Sequence, residues 1–176
     1  FFERLLNTSV KQESGQFFTP IPIAKFMCNS LPVEEIIDSK IKQGEQKYLP
    51  HIIDYSSGSG HFITEGMERI DQVLKGLEPS SLNRTQRGSF ESWKQNYMWA
   101  SEFVYGVEKD YRLAKTAKIA CFLNGDGEAN IIRGDGLGNF NLSDEYRDSG
   151  GRLYKRTNDG SFDHPVFDVL VANPPY

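Results

Sequence analysis

Apolar residues gather into four short runs, at positions 51–55, 103–107, 130–133 and 166–172, which predict four β-strands. The last, Val-Phe-Asp-Val-Leu-Val-Ala, is almost continuously apolar, the pattern of a strand covered on both faces of a parallel sheet. Helical spacing fills the intervals. Thr19-Pro20 predicts an N-cap with proline in the first turn, followed by Ile23, Phe26, Met27 and Leu31 on one face. Ile63, Met67, Ile70 and Leu74 repeat with helical period after the first strand. Leu113, Ala114, Ala117, Ala120 and Cys121 do so after the second, from Asp110 as N-cap to a stop at Asn124-Gly125. This alternation predicts an open, doubly wound α/β sheet with right-handed crossovers. Two stretches break the rhythm. Residues 76–100 are polar and predict an insertion, and residues 141–165, rich in Gly, Asp and Arg, predict a long loop in place of a crossover helix.

Composition narrows the picture. The chain has 176 residues, 38% of them hydrophobic, which suits one compact domain with a core. No apolar run approaches the length needed to span a bilayer, and nothing resembles a signal peptide. Cys28 and Cys121 are too few and too far apart for a disulfide framework, and are expected as buried thiols in a reducing, cytoplasmic setting. His51, His61 and His164 form no cluster, so no structural metal is expected. A net charge of −4 and a pI near 5.4 argue against a free-standing DNA-binding module, because phosphate neutralisation needs a basic surface. DNA chemistry fits only if other segments or subunits supply most of the grip. Two basic groups, Arg84, Arg87 and Lys94, then Arg147, Arg152, Lys155 and Arg156, are expected as solvated loop charge. The chain opens on Phe1 and closes directly after its last strand, so both ends predict a piece of a longer protein. Alone, such a piece is expected to fold marginally or associate through its uncovered edge.

The candidate chemistry lies at the four strand ends. The first strand runs into Asp54-Tyr55-Ser56-Ser57-Gly58-Ser59-Gly60-His61-Phe62, a glycine turn at the sheet edge where ligands bind. Ile63 stands where the third glycine of a dinucleotide fingerprint belongs, which disfavours NAD. The second strand ends at Glu108, placed to accept two hydrogen bonds from a ribose diol. The third ends in Gly134-Asp135-Gly136-Leu137, where Asp135 reads equally well as an acceptor for an adenine amino group or as turn chemistry. The fourth ends in Asn173-Pro174-Pro175-Tyr176. Two prolines fix the backbone there, so that the Asn173 side chain and Pro174 carbonyl point together as acceptors beside an aromatic face. That set suits a planar substrate carrying an amino group.

In this order, the four tips resemble the gamma class of amino-methylating DNA methyltransferases, and most closely the modification (M) subunit of type I restriction–modification systems. The resemblance runs from Gly15 onward. Gly15-Gln16-Phe17-Phe18-Thr19-Pro20 is similar to that family's cofactor motif, and residues 54–62 to its Asp-Pro-x-x-Gly-x-x-Gly-Phe loop. Tyr55 replaces the usual Pro, His61 the usual Gly, and the second glycine comes one place early at Gly60. The resemblance implies a class I, Rossmann-like S-adenosylmethionine-dependent methyltransferase sheet that stops after its fourth strand, with residues 1–176 as the N-terminal, cofactor-binding part of the catalytic domain. By position, Gln16, Phe17, Phe18, Thr19, Pro20 and Ile21 would hold the methionine part of S-adenosylmethionine with Gly58, Ser59, Gly60 and His61; Asp54, Ser56 and Phe62 belong to the same loop. Glu108 would take the ribose, Asp135 with Gly136 and Leu137 the cofactor adenine, and Asn173, Pro174, Pro175 and Tyr176 the target base. The implied function is methylation of adenine N6 in DNA, on a base turned out of the duplex, with specificity (S) and restriction (R) subunits as partners. Protein-glutamine or RNA methylation, or a non-catalytic cofactor-binding module, are the alternatives; Phe-Phe-Thr-Pro favours DNA.

Overall fold

The computed structural model describes residues 18–95, 97–125, 130–138 and 166–175, with the backbone of 155–156 and 162–163. In chain order the elements are α1 (Ile21–Asn29), α2 (Val33–Lys42), β1 (Ile52–Asp54), α3 (His61–Gly76), α4 (Arg84–Trp93), α5 (Ala100–Phe103), β2 (Val104–Glu108), α6 (Tyr111–Leu123), β3 (Asn130–Arg133), β4 (Lys155–Arg156), β5 (Phe162–Asp163) and β6 (Val169–Leu170). Four strands form a parallel sheet in the order β3-β2-β1-β6, while β4 and β5 pair antiparallel apart from it. The order reverses between β1 and β6, which is where open α/β sheets bind ligands. The predicted α/β sheet is therefore present, Rossmann-like in strand order. The rest of 141–165, expected as a long loop, lies outside the described residues.

Successive strand residues face opposite ways. Ile52, Val104, Ile131 and Val169 join one core with the buried sides of the helices, whereas Ile53, Tyr105, Val107 and Ile132 form a separate small cluster against which Phe167 packs. In α3, Ile63, Met67, Ile70 and Leu74 are all buried, at roughly 1.5–3 kcal/mol of burial free energy each. Asp110 caps α6 as expected, its carboxylate accepting from the Arg112 and Leu113 N–H groups, and the helix stops at Asn124 before Gly125. Cys28 and Cys121 are buried thiols rather than halves of a disulfide; burial pushes the Cys28 thiol up to about 12, which leaves it unreactive.

Three expectations need correction. The face of α1 carrying Ile23, Phe26 and Met27 is exposed, and the helix buries Ala24 and Cys28 instead. These small side chains let α1 lie close on α3, near enough for the Cys28 thiol to face the Phe62 carbonyl at 3.8 Å. Thr19 is not the N-cap: Pro20 occupies that position without a side-chain cap, Pro22 lies in the first turn, and the Thr19 hydroxyl is engaged elsewhere. The fourth strand is not covered on both faces either. Val169 and Val171 are buried but Leu170 is 62% exposed, because β6 is an edge strand whose Leu170 side meets no described element.

The polar stretch 76–100 is structured rather than loop-like, so Arg84 and Arg87 sit on a helix and not in a loop. Asn83 and Gln86 form a capping box at the start of α4. The buried Gln86 amide also donates to the carbonyls of Ile41 and Glu45, while Leu82, Phe90 and Trp99 enter the core. Asn83, Gln86 and Arg87 thus spend hydrogen bonds inside the fold. No helix among the described residues is long and apolar enough to cross a membrane.

At the amino end of the sheet, Asp168 clamps β6 to β1. Its Oδ2 accepts from Lys40 Nζ at 2.7 Å and from the His51 backbone N–H at 2.8 Å, and Lys40 also reaches the Leu49 carbonyl. Both charged side chains are largely covered. Asp168→Ala is expected to lower the unfolding free energy by roughly 1.5–3 kcal/mol, read by urea denaturation. A change within about 0.5 kcal/mol, typical of surface substitutions, would mean that the clamp contributes nothing.

Candidate functional site

The carboxyl ends of β1, β2, β3 and β6 open onto one cavity of about 610 Å³. That is the size range of small-molecule sites, roughly 300–1,000 Å³. Tyr55, Ser56 and Gly58 line it from the loop after β1; Val107, Glu108, Lys109, Asp110 and Leu113 from the end of β2 and the start of α6. Asp135, Gly136 and Leu137 follow β3, Asn173, Pro174 and Pro175 follow β6, and Phe18 comes from the segment before α1.

The loop after β1 is held in place by its neighbour. Ser57 N–H donates to the Val107 carbonyl at 2.9 Å, and Gly60, at φ +87°, turns the chain into α3, where an added Cβ would press on Ala117 at 3.1 Å. Glu108 is 7% exposed, and both its oxygens are used: Oε2 accepts from Gly58 N–H at 2.8 Å and Oε1 from Asp110 N–H at 2.7 Å. One carboxylate thus fixes the tips of β1 and β2 together. On the far side, Gly136 comes so near the Tyr55 carbonyl that an added Cβ would lie 1.8 Å from its oxygen. Asp135 accepts from Leu137 N–H at 3.1 Å and from Lys109 Nζ at 2.9 Å.

At the fourth tip, Asn173 Nδ2 donates to Thr19 Oγ1 at 3.1 Å, linking positions 154 residues apart. The Thr19 carbonyl in turn accepts from His61 Nδ1 at 2.9 Å. The predicted site residues therefore divide. Phe18, Ser56, Gly58, Glu108, Asp135, Gly136, Leu137, Asn173, Pro174 and Pro175 line the cavity. Asp54, Ser59, Gly60 and Phe62 are buried behind its wall, while Thr19 and His61 form the link to Asn173; Pro20 and Ile21 are exposed at the start of α1. Gln16, Phe17 and Tyr176 lie outside the described residues. Sequence reasoning did not single out Tyr55, Val107, Lys109, Asp110 or Leu113 as lining. Four of them adjoin or lie two places from a motif carboxylate, and Leu113 is one helical turn past the Asp110 cap, so proximity to the motif was the available signal.

With four strand ends on one cavity, the match to known sequences becomes decisive. A family model for N-6 DNA methylase matches residues 1–176. The chain belongs to the N-6 DNA methylase family. No curated protein matches it. Membership places the chain among DNA adenine methyltransferases in general, enzymes that generally use S-adenosylmethionine.

The methylase cavity suits that cofactor electrostatically. Glu108, Asp110 and Asp135 face it with Lys109 as the counter-charge, so acceptors outnumber cations where a sulfonium and an ammonium need company. Lys109 holds the Asp135 carboxyl below the usual carboxylate range, and Arg112 does the same for Asp110. Both therefore stay ionised, acceptor-only groups at neutral pH.

Asp54 behaves differently. It is 1% exposed at the end of β1, and burial, reinforced by the nearby Glu108 charge, pushes its carboxyl up to about 7 against the opposing Ser56 N–H. A raised native value means that the folded methylase binds the proton more tightly than the unfolded chain does. The contribution of Asp54 to stability is thus complete below about pH 4 and lost as pH rises through about 7. Asp54→Asn keeps an acceptor for Ser56 and removes the titration. Thermal melts are expected to shift in favour of the Asn variant between pH 5 and 8, by on the order of 2–4 kcal/mol at the alkaline end. A pH-independent difference between the two proteins would contradict this.

Proposed function

We propose that this methylase transfers a methyl group from S-adenosylmethionine to the N6 amine of an adenine turned out of duplex DNA, as a type I restriction–modification M subunit of the gamma class. The observation that carries the proposal is that Glu108 and Asn173 line the same cavity at the switch point of the sheet. A ribose held at the first and an amine held at the second then meet across one crevice.

When bound, S-adenosylmethionine supplies the methyl of its sulfonium: the amine nitrogen takes the carbon, the C–S electron pair returns to sulfur, and the displaced N6 proton leaves to water. Adenine N6 is a poor nucleophile because its lone pair is delocalised into the ring. Asn173 Oδ1 and the Pro174 carbonyl, acting as acceptors for the two amino protons, favour a tetrahedral nitrogen and localise that pair. The same fixed dipoles stabilise the positive charge that develops there. Rate then depends mainly on positioning. Turning the base out of the helix costs about a few kcal/mol, and stacking on Tyr176 would return roughly 1–3 kcal/mol.

The net charge of −4 supports a partner that grips the DNA, the role assigned to a specificity subunit, with a restriction subunit as a further partner. The test is methyl transfer by the full-length protein from S-adenosylmethionine, with its specificity subunit, to adenine-containing duplex DNA, alongside calorimetry with the cofactor. N6-methyladenine in the product is the expected outcome. Methylation of a glutamine peptide or of RNA in its place, or no heat of cofactor binding, would overturn the proposal.

A further inference from the structure

We infer that His61 is a positioning residue for methyl transfer, acting on Asn173 through Thr19; the inference rests on the proposed role of Asn173. His61 opens α3, and its ring Nδ1 lies 2.9 Å from the Thr19 carbonyl oxygen. A carbonyl only accepts, so Nδ1 carries the proton and donates. The Thr19 hydroxyl lies 3.1 Å from Asn173 Nδ2. Thr19 precedes Pro20, whose φ is −57°, and a residue before proline has little conformational freedom. Its β-branched side chain is in turn stiff at χ1, so holding the carbonyl limits where the hydroxyl can lie. Thr19 takes the NH₂ side of the Asn173 amide, and in the proposed function the Oδ1 side is the one that accepts from the amine substrate. His61 does not line the cavity, which separates this role from contact with the cofactor. Position 61 is also where the resembled Asp-Pro-x-x-Gly-x-x-Gly-Phe loop usually has glycine, which has no side chain to reach Thr19.

The test uses the full-length protein with His61→Ala, His61→Asn, whose amide can still donate to the Thr19 carbonyl, and Thr19→Val, which keeps that carbonyl and deletes the hydroxyl. At saturating S-adenosylmethionine the single-turnover transfer rate of His61→Ala is expected to fall about ten- to a hundredfold, with His61→Asn recovering most of it. Cofactor affinity is expected to stay close to wild type. In a Thr19→Val background His61→Ala should add little, because both changes cut the same link. A parallel fall in cofactor affinity, or full additivity of the two substitutions, would overturn the inference. A readout free of catalysis is the Asn173 side-chain amide signal in ¹⁵N-labelled protein. It is expected to move in His61→Ala and return in His61→Asn; an unmoved signal would also overturn the inference. Absence of transfer by wild-type protein, with the amide signal still responding to His61, would instead count against the proposed function and leave the link intact.

Discussion

Asn173→Ala is expected to reduce methyl transfer to adenine by at least about a hundredfold, in line with the loss of one preorganised group facing developing charge. Affinity for S-adenosylmethionine is expected to change little, because in the proposed function the cofactor contacts would come from Glu108 and the loop after β1, which line the cavity from other strands. The reason is local. The Asn173 amide has a donor side and an acceptor side, and Thr19 Oγ1 takes the donor side. Alanine removes the acceptor while the two prolines keep the backbone of the tip in place. The Pro174 carbonyl is then left to hold the amine alone. Single-turnover rates and calorimetry, measured on the same preparation, separate the two effects. A large fall in cofactor affinity would place Asn173 in the wrong half of the site.

Glu108 is expected to show the reverse pattern. Both oxygens of its carboxylate already accept a backbone N–H, from Gly58 and from Asp110, and a ribose diol would use the remaining lone pairs. Glu108→Ala removes the proposed ribose partner and also unties the tips of β1 and β2. Each hydrogen bond to a charged group contributes about 1.5–3 kcal/mol, so cofactor affinity is expected to fall roughly tenfold to a hundredfold or more. Glu108→Gln is the sharper test. A carboxamide has one oxygen and one NH₂, so it sets a donor against a backbone N–H at either Gly58 or Asp110. Glutamine is therefore expected to be nearly as damaging as alanine. Wild-type cofactor affinity in the Gln variant would mean that the carboxylate is not holding the loop.

Much of this was legible in the sequence, for identifiable reasons. Each strand tip announces itself as an apolar run ending in Gly, Pro or a carboxylate, so the positions of Gly58, Glu108, Asp135 and Asn173 followed from local pattern. The α3 and α6 cores followed from a single dominant period. The face of α1 did not, because its large apolar residues surround the helix and close packing on α3 selects the small ones, Ala24 and Cys28. Nor did the fourth strand: continuous hydrophobicity gives no sign of which face is left at an edge. The Lys40–Asp168 clamp and the His61–Thr19–Asn173 link join residues 128, 42 and 154 positions apart. No periodicity encodes such contacts; they exist only once the sheet order has brought the segments together. The helices within 76–100 were hidden for a related reason, since Asn83 and Gln86 spend their hydrogen bonds inside the fold.

A crystal structure of the protein with S-adenosylmethionine tests the shared-crevice account most directly. The expected result is a ribose whose hydroxyls donate to the Glu108 carboxylate, an adenine beside Asp135, and a methyl group directed at the space in front of Asn173 and Pro174. A cofactor seated with its sulfonium turned away from Asn173, or bound outside this cavity altogether, would contradict it.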